Sequence, residues 1–133
     1  MEIRRAAIAG AVAAILVMLV VRFAAQPADR ALLAQPLLGV LLAWTGAIYL
    51  GASLAGRERL WLAAEAAASI AVLVFAGLGL SGNPKWLAAG YLVHGGWAAA
   101  HQPRLVRTPM PDWFPALAVA FDAVVALWIF TKL

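Results

Sequence analysis

There is no cysteine in the 133-residue sequence, which excludes disulfides, thiolate metal sites, iron–sulfur clusters and cysteine nucleophiles. Charge is scarce as well. Only 12% of residues are charged, about half the share found in an average soluble domain. With 65% hydrophobic residues and a mean hydropathy of +0.91, a water-soluble globular domain is excluded. The alternating segments of about ten residues that build a membrane β-barrel are missing. The ten basic residues stand in ones and twos between apolar runs, so no basic face for nucleic acid is present. Neither a His-Glu-x-x-His motif nor an internal repeat occurs, which argues against a zinc hydrolase and against a self-contained inverted-repeat transporter.

What remains is apolar sequence in lengths that suit a bilayer, where a helix needs roughly 20 mostly apolar residues to cross. Five such runs occur, over about 6–25, 36–55, 60–80, 86–101 and 113–130. The expected fold is all-α, a polytopic transmembrane helix bundle forming a single domain over 1–133. No stretch outside the runs is large enough to hold a core of its own. Pro36 is expected to mark the start of the second span, because proline is a poor residue inside a helix. The connectors carry turn residues: Gln26 to Arg30, Gly56 to Arg59, Ser81 to Lys85, and Gln102 to Asp112 with Pro103, Pro109 and Pro111. Arg4 and Arg5 precede the first run as in a signal peptide. That run is too long for an ordinary h-region and lacks a small-x-small cleavage site, so it is expected to remain as a span. Alanine supplies 32 residues, as suits closely packed membrane helices.

The basic residues set orientation. A cytoplasmic N-terminus places Arg4, Arg5, Arg57, Arg59, Arg104 and Arg107 inside, and Arg22, Arg30, Lys85 and Lys132 outside. Trp61, Trp86, Trp113 and Trp128 fall at span ends, as headgroup-level anchors do. Trp44 and Trp97 sit well inside spans, as packing residues or as walls of a pocket. The expected location is a bacterial inner membrane.

The informative residues are those that cost energy where they stand. Asp122 lies near the middle of the fifth span, where an ionised aspartate costs roughly 2.5–3.5 kcal/mol on insertion scales. Ala118 and Ala126 flank it at i−4 and i+4, so it should face protein. Glu65 stands five residues into the third span, and His94 stands at the centre of the fourth. Rise along the helices puts Glu65, His94 and Asp122 at about 8, 10 and 14 Å from the cytoplasmic edge. One shared buried polar site is the economical expectation. His101 lies two turns beyond His94 and is expected to be a solvated span end. Gly90, Gly95 and Gly96 interrupt the short fourth span, which lets a backbone or a ligand come close.

The stretch Tyr91-Leu92-Val93-His94-Gly95-Gly96-Trp97, then His101, Pro111-Asp112-Trp113-Phe114-Pro115 and Phe121-Asp122, resembles an uncharacterised family of small bacterial polytopic membrane proteins. Its pattern is His-Gly-x-Trp-Asp-x-x-His followed by Pro-x-Trp-aromatic-Pro and aromatic-Asp. The match covers about the last third of the chain. It departs at Ala98, where the pattern has aspartate. The resemblance implies no activity; it marks His94, Trp97, His101 and Asp122 as one unit.

Three functional readings follow. In the first, the bundle binds a small apolar ligand or cofactor, alone or as an accessory subunit: His94 is an axial ligand to a haem or chlorin, Gly90 and Gly95 clear space, and Tyr91, Trp97 and Trp44 wall the ring. His94 and His101 are about 10.5 Å apart along one helix, so they cannot clamp one haem from both faces. The cofactor's identity is left open. In the second, Asp122, Glu65 and His94 are catalytic residues of an intramembrane enzyme acting on a lipid or isoprenoid, the carboxyl groups as acids and the histidine as base. In the third, the same groups relay protons in an oligomeric transporter or channel. No metal site is expected. The expected partners are the lipid bilayer, a small hydrophobic molecule, and further copies or a larger membrane complex.

Overall fold

The computed structural model describes residues 1–24, 29–56, 58–102 and 105–133, with only the backbone of 30 and 31. Ala25, Gln26, Pro27, Ala28, Arg57, Pro103 and Arg104, all part of the expected spans or connectors, lie outside the described residues. Five helices follow one another: α1 (Ile3–Ala24), α2 (Arg30–Leu54), α3 (Arg59–Ser81), α4 (Lys85–His101) and α5 (Phe114–Lys132). There is no strand among the described residues. Four helices are long and apolar enough to cross a membrane: Ile3–Ala24, Leu32–Leu54, Arg59–Ser81 and Phe114–Lys132. With 17 residues α4 is shorter, about 26 Å at 1.5 Å per residue.

The second helix corrects one expectation. It begins at Arg30, and Pro36 stands inside it. A proline interrupts a helix because it lacks an N–H and crowds the preceding turn, and neighbouring helices can compensate for both. Beside Pro36, Gln35 crosses to α3, its amide donating to the Gly79 carbonyl at 2.5 Å and to that of Gly82 at 3.3 Å. The first turns of α2 are thereby tied to the end of α3.

The inward faces repeat at three and four residues. On α3 they are Glu65, Ser69, Val72, Ala76 and Gly79; on α5, Pro115, Ala118, Asp122, Val125 and Ile129. On α4 the seam runs through Leu87, Tyr91, His94, Ala98 and His101. Such spacing makes a narrow helix–helix seam. The polar residues therefore occupy core positions of the seams. Outward faces are apolar: Ile8, Val12, Ile15, Leu16, Leu19, Val20 and Phe23 of α1 are all exposed. Exposed apolar surface of this extent calls for lipid or for another protein.

Around the bundle α5 lies between α1 and α4, α4 between α5 and α3, and α2 covers α3. The α1–α5 approach is closest at Gly10. A Cβ there would overlap the Leu117 carbonyl oxygen and sit 2.9 Å from the Leu117 carbonyl carbon. Backbone cannot swing aside as a side chain can. Gly10→Ala is therefore expected to displace α1 and lower stability by about 1–3 kcal/mol, read as thermal unfolding in detergent. Gly77→Ala, whose Cβ would meet nothing within 4 Å, is the control expected to be neutral or slightly stabilising.

Candidate functional site

The seams bring the titratable side chains together as two pairs. Nδ1 of His94 lies 2.6 Å from Oδ2 of Asp122, with both side chains almost fully buried. Gly95 makes this possible: a Cβ on it would stand 3.2 Å from Cβ of Asp122, so only a glycine lets α5 settle so closely there without a shift. One α4 residue thus supplies the imidazole and its neighbour supplies the space.

The second pair joins α3 to the end of α4. Nε2 of His101 lies 2.8 Å from Oε1 of Glu65. Trp97 Nε1 donates to Oε2 of the same carboxyl group at 2.7 Å, and the Thr108 hydroxyl donates to Oε1 at 2.5 Å. Glu65 is fully buried, and three side chains serve it. Nδ1 of His101 faces the Trp97 carbonyl at 2.9 Å. A carbonyl only accepts, so this nitrogen carries a hydrogen. Nε2 and Glu65 then hold one further proton between them, on the carboxyl group or on the ring.

Tyr49 of α2 stands between the pairs. Its ring lies 5.2 Å from that of His94, edge to face, and 4.8 Å from that of His101. Three buried polar atoms around it have no partner: the Tyr49 hydroxyl, Nε2 of His94 and Oδ1 of Asp122. Such atoms are uncommon in folded proteins and each calls for an explanation.

Several expectations change. His101 is buried against Glu65 and is no solvated span end; Val106 and Thr108 of the following connector are buried as well, and they close over that end. Glu65, His94 and Asp122 divide between two pairs, His94 with Asp122 and His101 with Glu65, and Glu65 and His94 line one small cavity between the pairs. Among the described residues no group of three His, Asp or Glu is placed to hold a metal ion.

The expected pocket walls also separate. Trp44 is 68% exposed on the outer face of α2 and takes no part in either pair. Trp97 turns its indole N–H to Glu65. Tyr91 is buried with its hydroxyl donating to the Leu38 carbonyl at 2.8 Å. Gly90 leaves no space beside His94, since its missing side chain admits Leu42 and Phe75, the latter's Cβ 2.8 Å from where a Cβ would stand. The cavity that His94 shares with Gly46, Tyr49, Glu65, Ala68, Ser69, Val72 and Trp97 holds about 10 Å³. A ligand-sized pocket needs roughly 300 Å³ or more, so a haem or chlorin on His94 does not fit this arrangement.

Larger spaces lie elsewhere. A cavity of about 420 Å³ opens among His101, Arg107, Thr108 and Pro109 to Asp112. Between α4 and α5 a lateral groove of about 230 Å³ runs past Tyr91, Leu92, Gly95, Gly96 and Asp122. It shares Ala99, Val119 and Ala123 with a neighbouring apolar space of about 320 Å³ that reaches Ala7 of α1 and Gln102. Sequence reasoning gave Tyr49 no role beyond a hydroxyl satisfied within the bundle, and it passed over Thr108. Tyr49 faces His94 and His101 together near the end of α2, its hydroxyl without a partner; Thr108 sits in a proline-rich connector that offered no signal. No curated protein and no solved structure matches the chain. Residues 5–132 match a family of unknown function, DUF6010, and the chain belongs to that family.

Proposed function

We propose that this is a five-span protein of a bacterial inner membrane, its N-terminus cytoplasmic, that binds a small amphiphile from the bilayer beside Asp122. The observation that carries the reading is Asp122 itself. It is 1% exposed, uses one oxygen for His94, leaves the other without a partner, and forms the polar spot in an otherwise apolar groove. A molecule with an apolar chain and a hydroxyl or amine donor would satisfy both the groove and the carboxyl oxygen. The outward apolar faces and the four span-length helices support the membrane setting. The paired arginines near the starts of α1 and α3 support the orientation.

The His94–Asp122 contact at 2.6 Å favours a second reading on the same groove. An imidazole and a carboxyl group in hydrogen-bond contact can move a proton to or from a bound amphiphile, which is the acid–base chemistry an intramembrane enzyme needs.

Gly96 gives the test. It lines the groove, and a Cβ there would meet nothing within 4 Å. Gly96→Leu should therefore fill the groove without disturbing the core. Lipid extracts of the purified protein, compared by mass spectrometry, are expected to show an amphiphile enriched with the wild type and reduced roughly tenfold in the variant, since two or more CH₂ groups of apolar contact are lost. Identical extracts from the two proteins would sink the proposal.

A further inference from the structure

The two histidine–carboxylate pairs are separated by the small cavity that Tyr49, Glu65, Ser69, His94 and Trp97 line. We propose that this cavity binds one water molecule, which passes protons between the Glu65–His101 pair and the His94–Asp122 pair. The inference goes beyond the amphiphile reading and does not rest on it. Its footing is the volume, about 10 Å³, against the roughly 10–15 Å³ that one water requires. Tyr49 and His94 both line the cavity, and the Tyr49 hydroxyl and Nε2 of His94 are buried with no partner in the protein. A buried water makes about three hydrogen bonds, and Glu65 in the same wall supplies the third.

The transfer balances without charging His94. With Asp122 ionised, His94 donates through Nδ1–H and presents a bare Nε2. The Glu65–His101 pair gives one proton to the water oxygen while the water gives one of its own to Nε2. The Nδ1 proton then passes to Oδ2 of Asp122. Glu65 is left ionised, the water is restored, His94 has changed tautomer and Asp122 is protonated. On the other side Thr108 and His101 line the connector cavity of about 420 Å³, where the pair can be recharged. The groups that face the route are Tyr49, Glu65, His94, His101 and Asp122; Ser69 is engaged with the Gly46 carbonyl at 2.9 Å.

The sequence has only two histidines, so ¹⁵N-histidine labelling gives a spectrum that His101→Gln assigns. In the wild type, imidazole protons of His94 are expected to exchange with bulk water and to show a direct cross-peak to a bound water. Tyr49→Phe removes one hydrogen bond to that water, and Ala68→Val narrows the cavity. Each is expected to slow exchange at His94 roughly tenfold, the effect of losing one hydrogen bond, and to leave His101 unchanged. Unchanged exchange at His94 in both variants overturns the proposal. So does a wild-type His94 without a water cross-peak, a result that needs no variant to fold.

Discussion

Replacing Glu65 by leucine is expected to lower the stability of the detergent-solubilised bundle by about 2–5 kcal/mol. The figure follows from three hydrogen bonds lost at once, each worth about 0.6–1.7 kcal/mol between membrane helices. Those bonds come from Trp97, His101 and Thr108. They tie α3 to α4 and to the connector that follows α4, so leucine releases three elements and strands three polar groups in apolar surroundings. Glu65→Gln separates charge from hydrogen bonding. With its amide nitrogen in the place of Oε1 it can donate to Nε2 of His101, which then needs no proton of its own, and to the Thr108 hydroxyl oxygen. Its carbonyl in the place of Oε2 still accepts from Trp97. The amide variant is expected to stay within about 1 kcal/mol of the wild type. Unfolding followed by tryptophan fluorescence, with Trp97 beside the lost acceptor, measures both. Equal losses for leucine and glutamine would mean that the charge, and not the hydrogen bonds, holds the site.

How much of this arrangement the sequence carries depends on what each residue's position can encode. Run length and hydropathy reveal depth, and depth was enough to single out Glu65, His94 and Asp122. Azimuth around a helix is weaker in an apolar chain, because lipid-facing and buried residues are equally apolar. Trp44 shows the consequence: its mid-span depth suggested a pocket wall, and its direction is outward. The seam spacing on α4 places His94 and His101 on one face, which was visible. That His101 is buried was not, since burial there depends on Val106 and Thr108 folding back over the helix end. Pro36 misled for another reason. The helix runs on through Pro36 from Arg30, in first turns that Gln35 holds to Gly79 of α3, a contact 44 residues away.

Asp122 carries the last and sharpest expectation, because two substitutions there separate packing from binding. In Asp122→Asn the amide oxygen can accept from Nδ1 of His94, and the side chain keeps its volume against Gly95. The fold should persist, with stability within about 1 kcal/mol of the wild type. The other position of the group then offers an N–H₂ where a carboxyl oxygen stood. A ligand that donates a hydrogen bond meets a donor instead of an acceptor, and its retention is expected to fall roughly 10–100-fold, as when a charge-assisted bond of about 1.5–3 kcal/mol is removed. Asp122→Leu goes further. It leaves both His94 nitrogens without partners in the bundle, so it should reduce stability by about 1–3 kcal/mol as well as ligand retention. Thermal unfolding and lipid mass spectrometry on the same preparations read the two effects apart. If asparagine keeps the amphiphile in full, Asp122 is not its polar contact; the same variant losing only turnover on that amphiphile would make Asp122 the acid of an enzyme. If leucine unfolds the bundle while asparagine changes nothing, the pair with His94 serves packing alone.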